Sequence, residues 1–338
     1  MKENDYKKLV EEYEKLNQQR ADIYPLSLEE TFAAKHRKMD LVCSYDKEYK
    51  LKAKCLLENK DALLKLYLAF KKEDMEYLND VLYENAQMAE ISNVLSPGMD
   101  HTYYSYNIMP ELLAANMPDR IKLILPEENG LAKGSVSGTA IVNIFMGIWY
   151  RNQTFLDEGL TQAEKKLGQK LTGFDKAYLN CFRDIALKDT VSLENDLNEL
   201  CKAHAKRKDF GMTPFNKGFC IEAHAVYNLI HWVYDGELEG KVQMPDQKNF
   251  CQELAIWQKE HNYQHGKVVT KYPDDIDIFN KMLYCEPPKM NLVYKSRGRF
   301  IDVDKFVDEV AERLQDMGAT ISKKKESPFS QFFKKIRK

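Results

Sequence analysis

Apolar residues in this chain recur mostly at spacings of three and four, and only 15 Gly and 11 Pro interrupt 338 positions. That spacing puts side chains on one face of a helix, so the chain is expected to be helical throughout, an all-α fold. "SLEE" (27 to 30) reads as a capping box, with Ser27 as N-cap and Glu30 reaching back, ahead of a long helical stretch. The pattern runs on through "LLKLYLAF" and "MEYLNDVLYENAQMAEISNVL" until Ser96, Pro97 and Gly98 break it. Residues 97–135, with Pro110, Pro118, Pro126 and the run "ENGLAKGSVSG", are expected to form an irregular connecting region. It would join an N-terminal helical region (1–96) to a helical-repeat-like domain (136–320), followed by a basic tail (321–338).

The second half repeats itself. Phe145, Ile148, Leu156 and Leu160 return as Phe182, Ile185, Leu193 and Leu197, each 37 positions on (182 − 145). The turn residue Asn152 returns as Asp189 at the same shift. This predicts antiparallel helix pairs stacked in a tetratricopeptide-like or bundle arrangement, since one pair cannot bury its own apolar face. The second helix is expected to return once more: "LENDLNELCKAH" (193 to 204) aligns with "FCQELAIWQKEH" (250 to 261) at a shift of 57. That alignment pairs Leu193 with Phe250, Leu197 with Leu254, Leu200 with Trp257 and His204 with His261.

Composition narrows the function. A net charge of −2 argues against general nucleic-acid binding, which needs a basic excess. The most apolar run, "AIVNIFMGIW" (140 to 149), is too short for a bilayer and holds Asn143. "MKENDYKKLVEEYEKL" lacks the apolar core of a secretory signal. Seven scattered cysteines without a C-x-x-C fit reduced, buried thiols. A cytoplasmic location is the expectation.

One stretch resembles a metal site. Cys201 and His204 stand as C-x₂-H, Cys220 and His224 as C-x₃-H, with fifteen residues between the pairs. Against it, the 57-residue shift gives His204 a counterpart in His261 but sets Cys201 against Gln258. His204 suits the negative end of a helix, Cys201 an apolar face, and Cys220 the core of the apolar helix "FCIEAHAVYNLIHWVY". His224 is then a buried polar group with a hydrogen-bond partner. The expectation is no metal and no cofactor. His261 and His265 lack the Glu that an H-E-x-x-H site needs, and Asp274, Asp275 and Asp277 read as a solvated turn. "GSVSG" (134 to 138) has Val136 where a nucleophile elbow needs Ser. Trp149, Trp232 and Trp257 read as core anchors. No catalytic set survives, and the chain is not expected to be an enzyme.

The tail "KKKESPFSQFFKKIRK" (323 to 338) carries seven cations against Glu326. Phe329, Phe332, Phe333 and Ile336 fall at i, i+3, i+4, i+7, a short basic amphipathic helix for its own domain, an acidic partner or lipid.

Residues 136–262 resemble the immunity protein 49 family of bacterial polymorphic-toxin systems. The arrangement carries the likeness: "GTAIVNIFMGIWYRN" and "FLDEGLTQAEKKL", then "FDKAYLNCFRDIALKDTVSLENDLNELCKAHAKRKD", a glycine-marked loop, and "GFCIEAHAVYNLIHW". What the resemblance implies is a cytoplasmic, non-enzymatic, mostly helical protein that binds and neutralises a cognate toxin. The alternative is a tetratricopeptide-like scaffold or peptide-binding regulatory protein. An antagonist without catalysis needs aromatic anchors and complementary charge. Tyr103, Tyr104 and Tyr106, in the proline-bounded "DHTYYSYNIMP", are expected to supply the first from an exposed loop, and Asp100 and Glu111 the second.

Overall fold

In the computed structural model the described residues are 3–42, 61–95, 100–134, 136–209, 212–295 and 298–319. The first half holds α1 (Glu3–Gln19), α2 (Leu28–Val42), α3 (Asp61–Lys72), α4 (Met75–Ser92), α5 (His101–Ala114) and α6 (Pro118–Ile124). The second holds α7 (Ser137–Trp149), α8 (Gln153–Leu167), α9 (Gly173–Leu187), α10 (Thr190–Ala205), α11 (Pro214–Lys217) and α12 (Ile221–Trp232). After α13 (Gln252–Glu260) and α14 (Ile278–Tyr284) comes a hairpin of β1 (Leu292–Lys295) and β2 (Gly298–Ile301), then α15 (Val303–Asp316). The fold is all-α, with that antiparallel hairpin, Leu292 opposite Ile301, as the one sheet among the described residues. The basic tail expected at 321–338 lies outside the described residues.

The 37-residue repeat is present as two helical hairpins, α7–α8 and α9–α10. Asn152 and Asp189 cap the second helix of each, accepting from Phe155 N at 3.2 Å and from Ser192 N at 3.1 Å. Arg151 and Lys188, one residue earlier, both turn left-handed with φ of 53° and 55°. The backbone bonds correspond as well: Asn152 N to Gly147 O and Asp189 N to Asp184 O, each 2.9 Å. The crossings differ. A Cβ on Gly147 would stand 2.5 Å from Leu156 N, and one on Gly159 2.6 Å from Ile144 N, so α7 and α8 touch through glycine. The equivalent positions of α9 and α10 are Asp184 and Asp196.

The return at a shift of 57 is not a structural repeat. Leu193 and Leu197 and their counterparts Phe250 and Leu254 are buried, but Leu200 is buried where Trp257 is half-exposed, and His204 is buried where His261 is exposed. Two amphipathic helices align on periodicity alone, and the short α13 has no paired helix directly before it.

The region 97–135 is a correction to the expectation. It is no irregular connector; it carries α5 and α6, and α5 packs against α4, α7 and α12. Asp100 caps α5 through the Tyr103 N–H, and Pro110 lies inside the helix. Proline deprives the helix of one hydrogen bond, that to the Tyr106 carbonyl, and the burial of ten residues of α5 outweighs the loss.

The core is continuous from Tyr6 to Leu314. Polar ties cross it: the Asn228 amide, fully buried, donates to Leu113 O at 3.2 Å and to Gln258 Oε1 at 3.0 Å, and Gln258 donates to Asn79 Oδ1 at 2.9 Å. The apolar run of α7 is a core helix. Its Asn143 holds the preceding segment by accepting from Ala132 N and donating to Ala132 O. All three tryptophans are half-buried rather than core. No described helix is long and apolar enough to cross a membrane.

Candidate functional site

A cleft of about 880 Å³ opens between α5, the start of α9, the end of α10 and the start of α12. Its first wall is one stripe of α5: Tyr103, Tyr106, Asn107, Pro110 and Glu111, spaced i, i+3, i+4, i+7, i+8. Opposite stand Phe174, Asp175 and Tyr178 of α9, with Lys202 from the last turn of α10 and Lys206 as its C-cap. Arg207, Lys208 and Asp209 follow α10, and Glu222 comes from the first turn of α12.

Charge in the cleft is mixed and partly committed. Arg207 pairs with Asp209 at 2.6 Å and with Glu222 at 3.1 Å, and its guanidinium lies 4.3 Å from the Phe174 ring centroid. Lys202 pairs with Glu199 at 2.7 Å. Neither Lys206 nor Lys208 has an acidic partner among the described residues, so the rim keeps two uncommitted cations. Burial, reinforced by Glu222, raises the Glu111 carboxyl to about 7. The Tyr106 phenol is likewise pushed up by burial, edge-on to Tyr178 at 5.7 Å.

Under the cleft lies a tighter cluster. His204, at the end of α10, donates from Nε2 to Asn216 O at 3.1 Å, because a carbonyl can only accept. Its Nδ1 faces Glu222 Oε2 at 3.1 Å, and the Cys220 thiol lies 3.7 Å from the same oxygen. Cys201, one turn before His204, adds to the upward push on the Cys220 thiol. Burial alone would lower His204, but hydrogen bonds to Cys220 and Glu222 raise it to about 10. Glu222 would be raised by burial and is instead lowered, chiefly by His204. Burial pushes the Cys220 thiol well up.

Of the four residues that looked like a metal site in sequence, His204 and Cys220 have ligand atoms within 4.8 Å of each other, and Cys201 stands outside that group. His224 lies outside it too. It accepts from Cys251 N at 3.1 Å and stacks between Phe219 and Phe250, with ring centroids 4.8 and 4.2 Å away. Burial lowers it to about 3, as expected of a partnered core histidine. Glu222 takes its place, and the available signal was its being the single acid in "FCIEAHAVYNLIHW". Elsewhere His261 is exposed while His265 stacks on Tyr83, and Asp277 pairs with Lys281.

The five expected contact residues divide. Tyr103, 61% exposed, and the half-buried Tyr106 and Glu111 line the cleft. Tyr104 does not: it is fully buried, its hydroxyl donating to Glu90 O at 3.0 Å. Asp100 is spent as the α5 cap. They stand on a helix, not a loop, so Tyr103 and Tyr106, three apart, share a face that Tyr104 does not. Among the cleft-lining residues that the sequence did not single out are Phe174, Lys206, Arg207 and Lys208. No family model, curated protein or solved structure matches the chain.

Proposed function

We propose that this chain is a cytoplasmic immunity protein that binds a cognate bacterial toxin in the α5–α9–α10–α12 cleft and neutralises it by steric occlusion. The observation that carries the reading is the lining of that cleft. An exposed tyrosine and two lysines without an acidic partner among the described residues stand at its rim, over a buried aromatic and charged floor. Large amphipathic side chains around a concave, partly desolvated centre are where interface binding energy concentrates. Rim cations favour an acidic partner and speed its encounter. The link to a toxin rests on the resemblance of residues 136–262 to the immunity protein 49 family. No catalytic role is assigned to any residue.

The test is co-expression with the product of the gene immediately upstream in the native genome, taken as the candidate toxin. Wild-type chain should restore growth, and a Tyr103→Ala, Lys206→Glu, Lys208→Glu variant of unchanged melting temperature should not. Protection by that variant equal to wild type would remove the cleft from the mechanism. A second reading, a peptide-binding scaffold, draws on the same concave lining. It is favoured if no toxin adjoins the gene and short acidic peptides bind the cleft with micromolar affinity, about 8 kcal/mol.

A further inference from the structure

The cluster beneath the cleft has the make-up of a metal site. We propose that His204 Nδ1, Cys220 Sγ and Glu222 Oε2 bind one zinc(II) ion. Their ligand atoms all lie within 4.8 Å of one another. An ion about 2.0 Å from nitrogen and oxygen and 2.3 Å from sulfur sets tetrahedral ligands roughly 3.3–3.5 Å apart. The two measured separations, 3.1 Å for His204 to Glu222 and 3.7 Å for Cys220 to Glu222, straddle that range. The mixture of imidazole, thiolate and carboxylate selects zinc over hard cations such as magnesium or calcium.

Three further observations point to a ligand here rather than to packing alone. The His204 ring is 4% exposed and its Nδ1 is turned into the cluster, 3.1 Å from Glu222 Oε2. Its other nitrogen donates to the Asn216 carbonyl, the outer-shell bond that fixes the ring orientation in most histidine–metal sites. The local charge also balances. A divalent ion against the Cys220 thiolate and the Glu222 carboxylate sums to zero. Arg207 holds the other Glu222 oxygen at 3.1 Å. Binding releases the Cys220 thiol proton and the His204 Nδ1 proton to solvent. Glu222 lines two cavities and His204 one of them, which gives an ion a way in. The bound ion would tie the end of α10 to the start of α12 and fix the floor on which Arg207 and the rim lysines stand.

The test uses the full chain without a polyhistidine tag, grown with added zinc and desalted. Elemental analysis should find close to one zinc per chain, and removing it with a chelator should lower the melting temperature, with recovery on adding zinc back. Cys220→Ser and His204→Gln should lose at least as much zinc affinity as an outer-shell change costs, about 10–100-fold. The exposed His261→Gln should keep it. A readout that needs no variant is cobalt(II) in the wild-type chain, which should show a thiolate-to-cobalt charge-transfer band and tetrahedral d–d bands. Zinc-free chain whose melting temperature ignores equimolar zinc overturns the proposal. So does cobalt binding without the thiolate band, or full zinc retention by folded Cys220→Ser.

Discussion

Glu90 provides the sharpest test of the packing around α4. It is fully buried, and neither carboxyl oxygen has a hydrogen-bond partner among the described residues. Burial raises its carboxyl to about 8, against an ordinary 4.5, despite the attraction of Arg120. Between those two values the folded chain keeps a proton that the unfolded chain has released. Because the folded state then binds more protons, stability falls as pH rises, by about 1.4 kcal/mol per pH unit. The loss from this one group is about 3 kcal/mol at pH 7 and levels off near 5 kcal/mol above pH 8. Glu90→Gln keeps the shape and removes the titration. The variant is expected to match wild type at pH 4 and to exceed it by about 3 kcal/mol at pH 7, measured as urea unfolding free energies. The sign separates two pictures. If Glu90 were ionised and paired with Arg120, Gln would destabilise the fold at neutral pH, by about 3–5 kcal/mol for a broken buried pair. A variant less stable at pH 7 than at pH 4, relative to wild type, refutes the reasoning.

The same packing makes three other forecasts. Tyr104→Ala should cost about 3–5 kcal/mol and Tyr103→Ala less than about 0.5, by chemical denaturation, because one ring is fully buried and the other 61% exposed. Lys65→Met should cost about 3–5 kcal/mol by the same assay, since it strands Glu84, which is fully buried and held otherwise by the Val269 and Thr270 amides. Gly147→Ala should lower stability by about 1–3 kcal/mol, because its Cβ would meet Leu156 backbone at 2.5 Å. Gly168→Ala, where the nearest atoms are 3.7 Å away and φ is −74°, should raise it by about 0.4–1 kcal/mol, read as opposite shifts in thermal midpoint.

What the sequence showed and what it hid follow from the range of the interactions involved. The hairpins were legible because their turns are local: a left-handed residue, a capping Asn152 or Asp189 and flanking apolar positions all fall within one short stretch. Helix α5 was not, because Pro110 and the neighbouring prolines mimic breakers, while the burial that overrides them comes from α12, more than a hundred residues on. The cleft was only half visible for the same reason; its α5 stripe is contiguous, but its opposite wall comes from α9, α10 and α12. The cysteine–histidine spacing misled at its last member. Cys220 is the N-cap of α12, with φ −93° and ψ 87°, so the helical i, i+4 relation that would bring His224 beside it does not apply. Glu222, inside the first turn, reaches the cluster instead.

The repeat itself shows which positions are free to change. Caps, left-handed turns and backbone bonds correspond residue for residue across 37 positions, whereas the crossing changes from Gly147 and Gly159 to Asp184 and Asp196. Glycines let α7 and α8 close on each other. At the second crossing burial, with Asp196 against it and Arg183 offsetting, raises the Asp184 carboxyl to about 6. A hairpin needs its turn to exist at all, but its crossing can be filled by backbone contact or by a carboxyl pair. The turn is therefore what stays the same between the two units, and the surfaces they show to their neighbours differ. The cleft lies on the second unit, beside α5 and α12, and the first hairpin lines none of it. Its Phe174, Lys202, Lys206 and Arg207 sit outside the turns and crossings that define the repeat.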